Sequence, residues 1–156
     1  MSLSVVVRTE KRKGVAMDLV RLIYCSRFAD RMEAGKLKAI IDAARANNPA
    51  LGITGILCYG PGVFLQCLEG PRRSVNDMFG RILRDDRNKD VTLLEYAECS
   101  GRAFGQWDMA YVRAEDLASG AAGEFAAGGQ FDPFAMTAAQ ALGFCKALLD
   151  HKSRFR

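Results

Sequence analysis

Two stretches with apolar residues at helical spacing alternate along this chain with short runs of branched and aromatic residues. The first stretch spans residues 34–48, and its predicted apolar face consists of Leu37, Ile40, Ile41 and Ala44. The second ends near residue 84, and its stripe consists of Val75, Met78, Phe79, Ile82 and Leu83. The runs predicted as strands are 19–25, 53–59, 63–69, 91–99 and 107–112.

The order of these elements, β-α-β-β-α-β-β, restricts the fold. Each helix needs a cover for its apolar face, and a single sheet supplies it if both helices lie on one side. The sequence therefore predicts an α+β, ferredoxin-like sandwich with two helices on one face of a mixed five-stranded sheet.

The last part of the chain predicts a separate extension. Residues 119–130 are small and Gly-rich, which is typical of a linker. A C-terminal helix should follow Thr137 as its N-cap, with one apolar face made of Ala141, Leu142, Cys145, Leu148 and Leu149. That face must cover either the bare side of the sheet or a second subunit. The predicted division is an N-terminal extension at 1–16, a domain at 17–112, and a C-terminal linker and helical extension at 113–156.

The charge distribution, the short apolar runs and the cysteine spacing argue against a nucleic-acid-binding, a membrane or a disulfide-bonded secreted protein. The chain carries a net charge of +4, but residues 1–16 and 152–156 each contribute +3, which leaves 17–151 at −2. A phosphate-binding surface needs its positive charge on the folded body, so we expect no nucleic-acid partner. Apolar runs are too short for a membrane span, so we expect no membrane association. Five cysteines without CxxC spacing are typical of reduced thiols, which predicts a cytoplasmic location.

Several polar side chains fall where the pattern predicts buried apolar ones. Strand alternation places Gln66 on one face with Phe64 and Leu68, and Tyr24 on one face with Leu22. The same rule groups Trp107, Met109 and Tyr111. Asn48 extends the apolar stripe of the first helix. Because a buried polar group without a partner costs about 1–3 kcal/mol, these groups must satisfy each other or a polar ligand.

The sequence contains few residues that could form a common catalytic site. The single histidine, His151, lies near the C-terminus, and the chain contains neither a P-loop nor a GxSxG motif. Cys25, Cys58, Cys67 and Cys99 lie in predicted strands, where cysteines are usually inert. We therefore predict neither an enzyme nor a metal site.

An ordered set of motifs identifies a family. The stretches are LVRLIYCSRFA at 19–29, ARANNPALGITGILCYGPGVFLQCLEGP at 44–71, RILRDDRNKD at 81–90 and FGQWDM at 104–109. Together they resemble the BLUF domains, which sense blue light using flavin. The resemblance covers about residues 18–112 and implies a photoreceptor of the short, stand-alone type, with FAD bound non-covalently between the two helices; FMN or riboflavin would substitute in recombinant preparations.

The resemblance also implies roles for single residues. Tyr24 would donate an electron and a proton to the excited flavin, and Gln66 would bridge Tyr24 to the flavin. The residues implied in cofactor binding are Asn48, Ile40, Ile82, Arg81, Asp85, Arg87 and Ser26, and those implied in signal output are Trp107 and Met109. Cys67 follows the FLQ run and points away from Gln66 by alternation, which argues against a cysteinyl-flavin adduct.

The resemblance implies that light alters protein–protein contacts. The partners would be an unknown effector protein or further copies of the chain, joined through the C-terminal helix or the back of the sheet. Two alternatives stay open from the sequence. One is a module that binds protein or RNA and in which the flavin is silent or absent. The other is a small flavin reductase or an acylphosphatase-like hydrolase.

Overall fold

The computed structural model describes residues 18–28, 34–113 and 131–154 and contains one five-stranded sheet. Its strands are β1 (Leu19–Phe28), β2 (Thr54–Gly60), β3 (Val63–Pro71), β4 (Asn88–Glu98) and β5 (Ala110–Arg113). The helices are α1 (Ala34–Leu51), α2 (Arg72–Arg84) and α3 (Ala138–Arg154), and a short 3-10 helix at Pro133–Ala135 precedes α3. The predicted β-α-β-β-α-β-β order is confirmed.

The sheet is mixed, as predicted. Its strand order is β4-β1-β3-β2-β5, with β1 antiparallel to both β3 and β4, β2 antiparallel to β3, and β2 parallel to β5. The β2–β3 connection is a two-residue turn in which Gly62 has a φ of 73°, a conformation that glycine adopts without steric cost. This topology places β1 and β3, which carry the predicted photoactive pair, side by side in the middle of the sheet.

Both predicted helices pack on one side of the sheet, here called the front face. Its buried strand residues include Leu22, Tyr24, Leu57, Phe64, Gln66 and Leu68. From α1, Ile41 is buried and Leu37, Ile40 and Ala44 pack beside it, as the periodicity predicts. From α2, Val75 is buried, whereas Leu83 is 55% exposed, so its inclusion in the stripe was wrong. Leu83 lies one residue beyond Ile82, and one residue rotates a helix by about 100° away from the sheet.

Helix α3 covers the opposite side of the sheet, here called the back face. The buried residues of α3 are Ala141, Phe144, Cys145 and Leu148, and they pack against strand residues that include Ile23, Cys25, Ile56, Leu65 and Cys67. Of the two covers expected from sequence, the structure has the first, the chain's own sheet. An oligomer joined through the same helix face or the same sheet face would need α3 to move.

The start of α3 follows its sequence signal closely. Thr137 Oγ1 accepts a hydrogen bond from the Gln140 amide at 3.1 Å, and Gln140 Oε1 accepts one from the Thr137 amide at 2.9 Å. This reciprocal pair is a capping box, which satisfies two backbone donors that the first turn leaves without partners. The predicted N-cap at Thr137 is confirmed.

Element boundaries differ from the sequence prediction in two places that matter for the site. β4 begins at Asn88, inside the run predicted as a polar loop, and β5 begins at Ala110 instead of residue 107. The N-terminal extension at 1–16 and the Gly-rich linker at 119–130 lie outside the described residues. None of the described helices is long and apolar enough to cross a membrane.

Candidate functional site

The centre of the front face holds a hydrogen-bonded tyrosine and glutamine. Tyr24 on β1 and Gln66 on β3 are direct partners in the antiparallel register, so their side chains leave the sheet side by side. Tyr24 Oη donates a hydrogen bond to Gln66 Oε1 at 2.5 Å, a short bond. Tyr24 is 3% exposed and Gln66 9%. The predicted meeting of these two polar side chains is therefore present in the fold.

The electrostatics of Tyr24 keep its proton in place. Burial, with a smaller contribution from the Asp85 carboxylate, raises the pKa of the Tyr24 phenol well above its usual range. Because both effects disfavour the phenolate, Tyr24 is a neutral hydrogen-bond donor over the whole physiological pH range.

Met109 occupies the other side of the Gln66 amide. Its Sδ accepts a hydrogen bond from Gln66 Nε2 at 3.5 Å, and Met109 is 2% exposed. Thioether sulfur accepts weakly and cannot donate, so this contact favours an amide with nitrogen toward Met109 and oxygen toward Tyr24. The two neighbours of Gln66 thus define one orientation of its amide.

Asn48 lies in the last turn of α1, which two backbone hydrogen bonds close. The Ile53 amide donates to the Asn48 carbonyl at 3.0 Å and the Gly52 amide to the Pro49 carbonyl at 3.2 Å, with Gly52 at a φ of 69°. These two bonds form a Schellman motif, which closes the helix with a left-handed glycine. The helix runs through Pro49 to Leu51, three residues beyond the predicted end at Asn48.

The Asn48 side chain is buried but only half satisfied. Its Nδ2 donates to the Asp108 carbonyl at 2.8 Å, whereas Oδ1 has no hydrogen-bond partner among the described residues. Since buried acceptors without a donor are costly, this oxygen marks the place where a ligand N–H would fit. A flavin ring carries such a group at N3.

These side chains border a cavity of about 280 Å³ between α1 and α2. Ile40 contributes from α1 and Ile82 from α2, so aliphatic side chains come from both helices. The full set is Tyr24, Ile40, Ala43, Ala44, Asn47, Asn48, Leu57, Phe64, Gln66, Leu68, Met78, Arg81, Ile82, Asp85, Arg87, Asn88 and Met109. Apolar walls with a few convergent polar groups are typical of ligand sites, and a flat, largely apolar ring with a polar edge fits this lining.

Charged residues lie at the end of α2 and in the turn that follows it. Arg87 Nη2 lies 2.6 Å from Asp85 Oδ2 and Nε lies 2.9 Å from Asp85 Oδ1. The hydrogen bond from Arg87 lowers the pKa of the Asp85 carboxyl, and the same bond raises the pKa of Arg87. Arg81 also lines the cavity and is exposed. All three predicted residues therefore border the cavity, with Asp85 and Arg87 paired to each other.

Ser26 lies next to the cavity lining without being part of it. Its Oγ donates to Asn88 Oδ1 at 3.0 Å, and Asn88 lines the cavity. Sequence analysis missed Asn88 because it was assigned to a polar loop, whereas it is the first residue of β4. Pairing of β1 with β4 in register Phe28↔Asn88 is what brings it to Ser26.

Trp107 does not share a face with Met109, and that prediction was wrong. Met109 packs on the front face, whereas Trp107 packs against the back-face cluster covered by α3. The physical reason is that residues 107–109 precede β5 and lack strand geometry, so alternation does not apply there. Of the two residues predicted for signal output, Met109 accepts a hydrogen bond from Gln66, and Trp107 packs on the other side of the sheet.

The cysteines lie away from this chemistry. Cys67 belongs to the back-face cluster, on the opposite side of β3 from Gln66, as alternation predicts. All five cysteines are free, and burial raises the pKa of the Cys58 and Cys67 thiols. Deprotonation of these thiols is therefore disfavoured, and Cys67 cannot reach a ring bound at the front face.

Comparison with known proteins agrees with this geometry. The BLUF family model, described as sensors of blue-light using FAD, matches residues 19–110. The photoactivated adenylate cyclase subunit alpha of Euglena gracilis is 37% identical over 102 residues, which are 65% of this chain and 10% of that protein. The blue light- and temperature-regulated antirepressor BluF of Escherichia coli K12 is 31% identical over 91 residues, 58% of this chain and 23% of that protein.

Solved structures give the same result for the fold. The BLUF protein BlrB in its dark state superposes with a TM-score of 0.74 at 26% identity, covering 87% of this chain and 98% of that one. BlsA in its ground state gives a TM-score of 0.75 at 28% identity, covering 84% and 87%. The chain spans only about a tenth of the length of the cyclase relatives that it matches. Because the family model covers more than half of the chain, this protein belongs to the BLUF family of flavin-based blue-light sensors.

Proposed function

We propose that this protein is a blue-light photoreceptor that binds FAD non-covalently and reports light through the Tyr24–Gln66 pair. The observation that carries the proposal is the 2.5 Å hydrogen bond between Tyr24 Oη and Gln66 Oε1 at the wall of the front-face cavity. A buried phenol and a buried carboxamide in contact form a switch that needs no covalent bond to a cofactor.

Residues from both helices would hold the cofactor. Ile40 and Ile82 would flank the ring. Asn48 Oδ1, which has no donor within residues 18–28, 34–113 and 131–154, would accept the ring N3–H. Arg81, Asp85 and Arg87 would contact the ribityl chain or the phosphates, which favours FAD over riboflavin. Ser26 would contribute through Asn88.

A bound flavin would supply the blue-light absorption and an acceptor for one electron and one proton. Tyr24 would donate both and recover both, so no net oxidation would remain. The return would leave Gln66 rotated or tautomerised, with a new hydrogen bond that shifts the flavin absorption to the red.

A rotated Gln66 amide is less well satisfied than the orientation in this structure. Rotation would point Oε1 at Met109 Sδ, which offers no proton, and Nε2 at Tyr24 Oη, which can still accept. Rotation would give up the bond to Met109 and the acceptor of the Tyr24 proton, and these losses would offset the new bond to the flavin, so the dark orientation would return spontaneously.

The output would be a change in protein contacts and not a catalysed reaction. Of the named relatives, one is a photoactivated adenylate cyclase subunit of Euglena gracilis and another is a blue light- and temperature-regulated antirepressor of Escherichia coli. For this chain we propose an effector protein or a second copy as the partner, in the cytoplasm, where five free cysteines are stable.

A light-minus-dark absorption spectrum tests the proposal directly. The purified protein should be yellow and show a reversible red shift under blue light. Tyr24→Phe and Gln66→Leu should keep the colour and lose the shift, because each removes one member of the hydrogen-bonded pair.

Tyr59→Phe is the matched control for the loss of a phenol. Tyr59 packs in the same front-face cluster, but it does not line the cavity, so its photocycle should match that of the unaltered protein. A full photocycle in Tyr24→Phe or Gln66→Leu would refute the assigned roles.

A further inference from the structure

Glu69 is a carboxylate on an otherwise apolar stretch of β3, and it is completely buried. It lies three residues after Gln66 on the same strand and on the opposite face. Arg21 donates to Glu69 Oε2 from Nη2 at 2.7 Å and from Nε at 3.0 Å. Breaking a buried ion pair in which one guanidinium donates twice to the same carboxylate oxygen is strongly destabilising, so Glu69 restricts the movement of the groups hydrogen-bonded to it.

Glu69 also accepts hydrogen bonds from backbone amides of the segment that connects β4 and β5. The Phe104 amide donates to Oε1 at 2.7 Å, and the Ala103 amide donates to Oε2 at 2.9 Å. Arg102 Nη1 also donates to the Glu69 backbone carbonyl at 3.2 Å. These bonds join strand β3 to a segment that has no regular secondary structure of its own.

The anchored segment leads directly to Met109. The Trp107 amide donates to the Phe104 carbonyl at 3.1 Å, which forms a turn, and the Trp107 carbonyl accepts from the Gly55 amide at 3.0 Å. Asp108 and Met109 then offer their carbonyls to Asn48 and Arg45 of α1. Continuous hydrogen bonding therefore connects the Glu69 carboxylate to the backbone that places Met109 Sδ beside Gln66.

On the basis of the proposed function, we infer that Glu69 is a positioning residue that sets the lifetime of the light state by fixing Met109 against Gln66. Its side-chain hydrogen bonds go to Arg21, Ala103 and Phe104, and it acts through residues 103–109. The strand register that brings Tyr24 beside Gln66 belongs to β1 and β3 and not to that segment. Loss of the hydrogen bonds to Glu69 should thus leave the red shift intact and change only the rate of dark recovery.

The direction of the effect follows from the acceptor-only sulfur of Met109. While Met109 is held in place, a rotated Gln66 oxygen faces an atom without a proton to give. If Met109 is held less firmly, the rotated Gln66 oxygen can accept a hydrogen bond from another donor. The light state then persists longer. Glu69→Gln should slow dark recovery by roughly two- to tenfold, the rate factor that corresponds to one net hydrogen bond.

A double-mutant cycle separates positioning from general destabilisation. Dark recovery is measured after a blue-light pulse in the full chain, in Glu69→Gln, in Met109→Leu and in the double variant. Met109→Leu keeps the volume and removes the acceptor. If Glu69 acts through Met109, the slowing by Glu69→Gln should disappear in the Met109→Leu background. An unchanged or faster recovery, or the same slowing in both backgrounds, would overturn the inference.

Two further variants keep the test decisive. Glu69→Asp retains a carboxylate for Arg21 but shortens its reach to the Phe104 amide, and it replaces Glu69→Gln in the cycle if that variant does not fold. Glu98→Gln removes the same charge from an exposed position paired with Arg72 and should leave recovery unchanged. If the unaltered protein shows no photocycle, the proposed function fails; if it shows one and the coupling is absent, only the role of Glu69 fails.

Discussion

At the scale of single residues, the site combines polar side chains that satisfy each other with one that does not. Tyr24 and Gln66 form a hydrogen bond, and Gln66 also donates to Met109. Asn48 has a donor in use and an acceptor without a partner in the part of the chain that the structure describes. Since buried polar groups in folded proteins are nearly always paired, the Asn48 oxygen indicates where a ligand edge belongs.

The protonation of Tyr24 leads to a prediction on alkaline stability. The pKa of Tyr24 is raised in the folded state, so the neutral phenol adds stability that is fully present below the ordinary tyrosine pKa of about 10. That contribution is lost as pH rises from there toward the folded value. The free energy of unfolding of the unaltered protein should therefore fall more steeply above about pH 10 than that of Tyr24→Phe.

Chemical denaturation at a series of pH values measures this difference. Tyr59→Phe serves as the control, since it removes a hydroxyl from a tyrosine that is only partly buried and lies outside the cavity lining. Parallel stability curves for the unaltered protein and Tyr24→Phe would contradict the assignment of a buried, neutral phenol.

At the scale of elements, two helices have well-defined ends, namely the C-terminus of α1 beside the site and the N-terminus of α3 on the back face. The Schellman motif that closes α1 places Asn48 in its last turn, and the capping box starts α3 at Thr137. The 107–109 segment belongs to no regular element, and its position comes from hydrogen bonds to β2, to α1 and, through the Phe104 turn, to Glu69.

Removal of the α3 cap should destabilise the back face without affecting light detection. Thr137→Ala deletes the hydroxyl that accepts from the Gln140 amide, which costs about 0.5–2 kcal/mol in comparable helices. Urea unfolding should show that loss, and Thr137→Ser should restore most of it because it keeps the hydroxyl. A red-shift amplitude that falls in proportion to stability would contradict the separation of the two faces.

At the scale of the whole molecule, the sheet separates two cores. The front face carries the cavity under α1 and α2, and the back face is closed by α3. A ligand in the cavity touches both front-face helices and the central strands at once. Ligand binding should therefore stabilise the domain as a unit.

Added flavin should raise the thermal midpoint of protein stripped of its cofactor. Free FAD at about one hundred times its dissociation constant contributes about 2.7 kcal/mol, which is several degrees for a chain of this size. Differential scanning calorimetry checks the shift. Asn48→Leu, which removes the acceptor without a partner, should reduce it at the same FAD concentration. The absence of any shift with FAD would contradict the assignment of the cavity.

Much of the site was predictable because it lies in regular elements. Tyr24, Gln66 and Asn48 are polar residues in apolar positions of strands and a helix, and the local periods of two and 3.6 place them on the front face. The prediction for Trp107 was wrong because alternation was applied outside a strand. The prediction for Leu83 was wrong because too many residues were assigned to the apolar stripe of the second helix. Glu69 and Asn88 were also missed, although a carboxylate inside the apolar run VFLQCLEG is itself an unusual feature.

The sequence alone determined the order of elements, the family, and the front-face location of Tyr24 and Gln66, because motifs and side-chain periodicity are local properties of the chain. Only the tertiary structure decided which side of the sheet α3 covers, which of Trp107 and Met109 faces Gln66, and that Glu69 holds the intervening segment. These depend on contacts between residues far apart in the chain, and residues 99–109 have no repeat from which such contacts can be inferred.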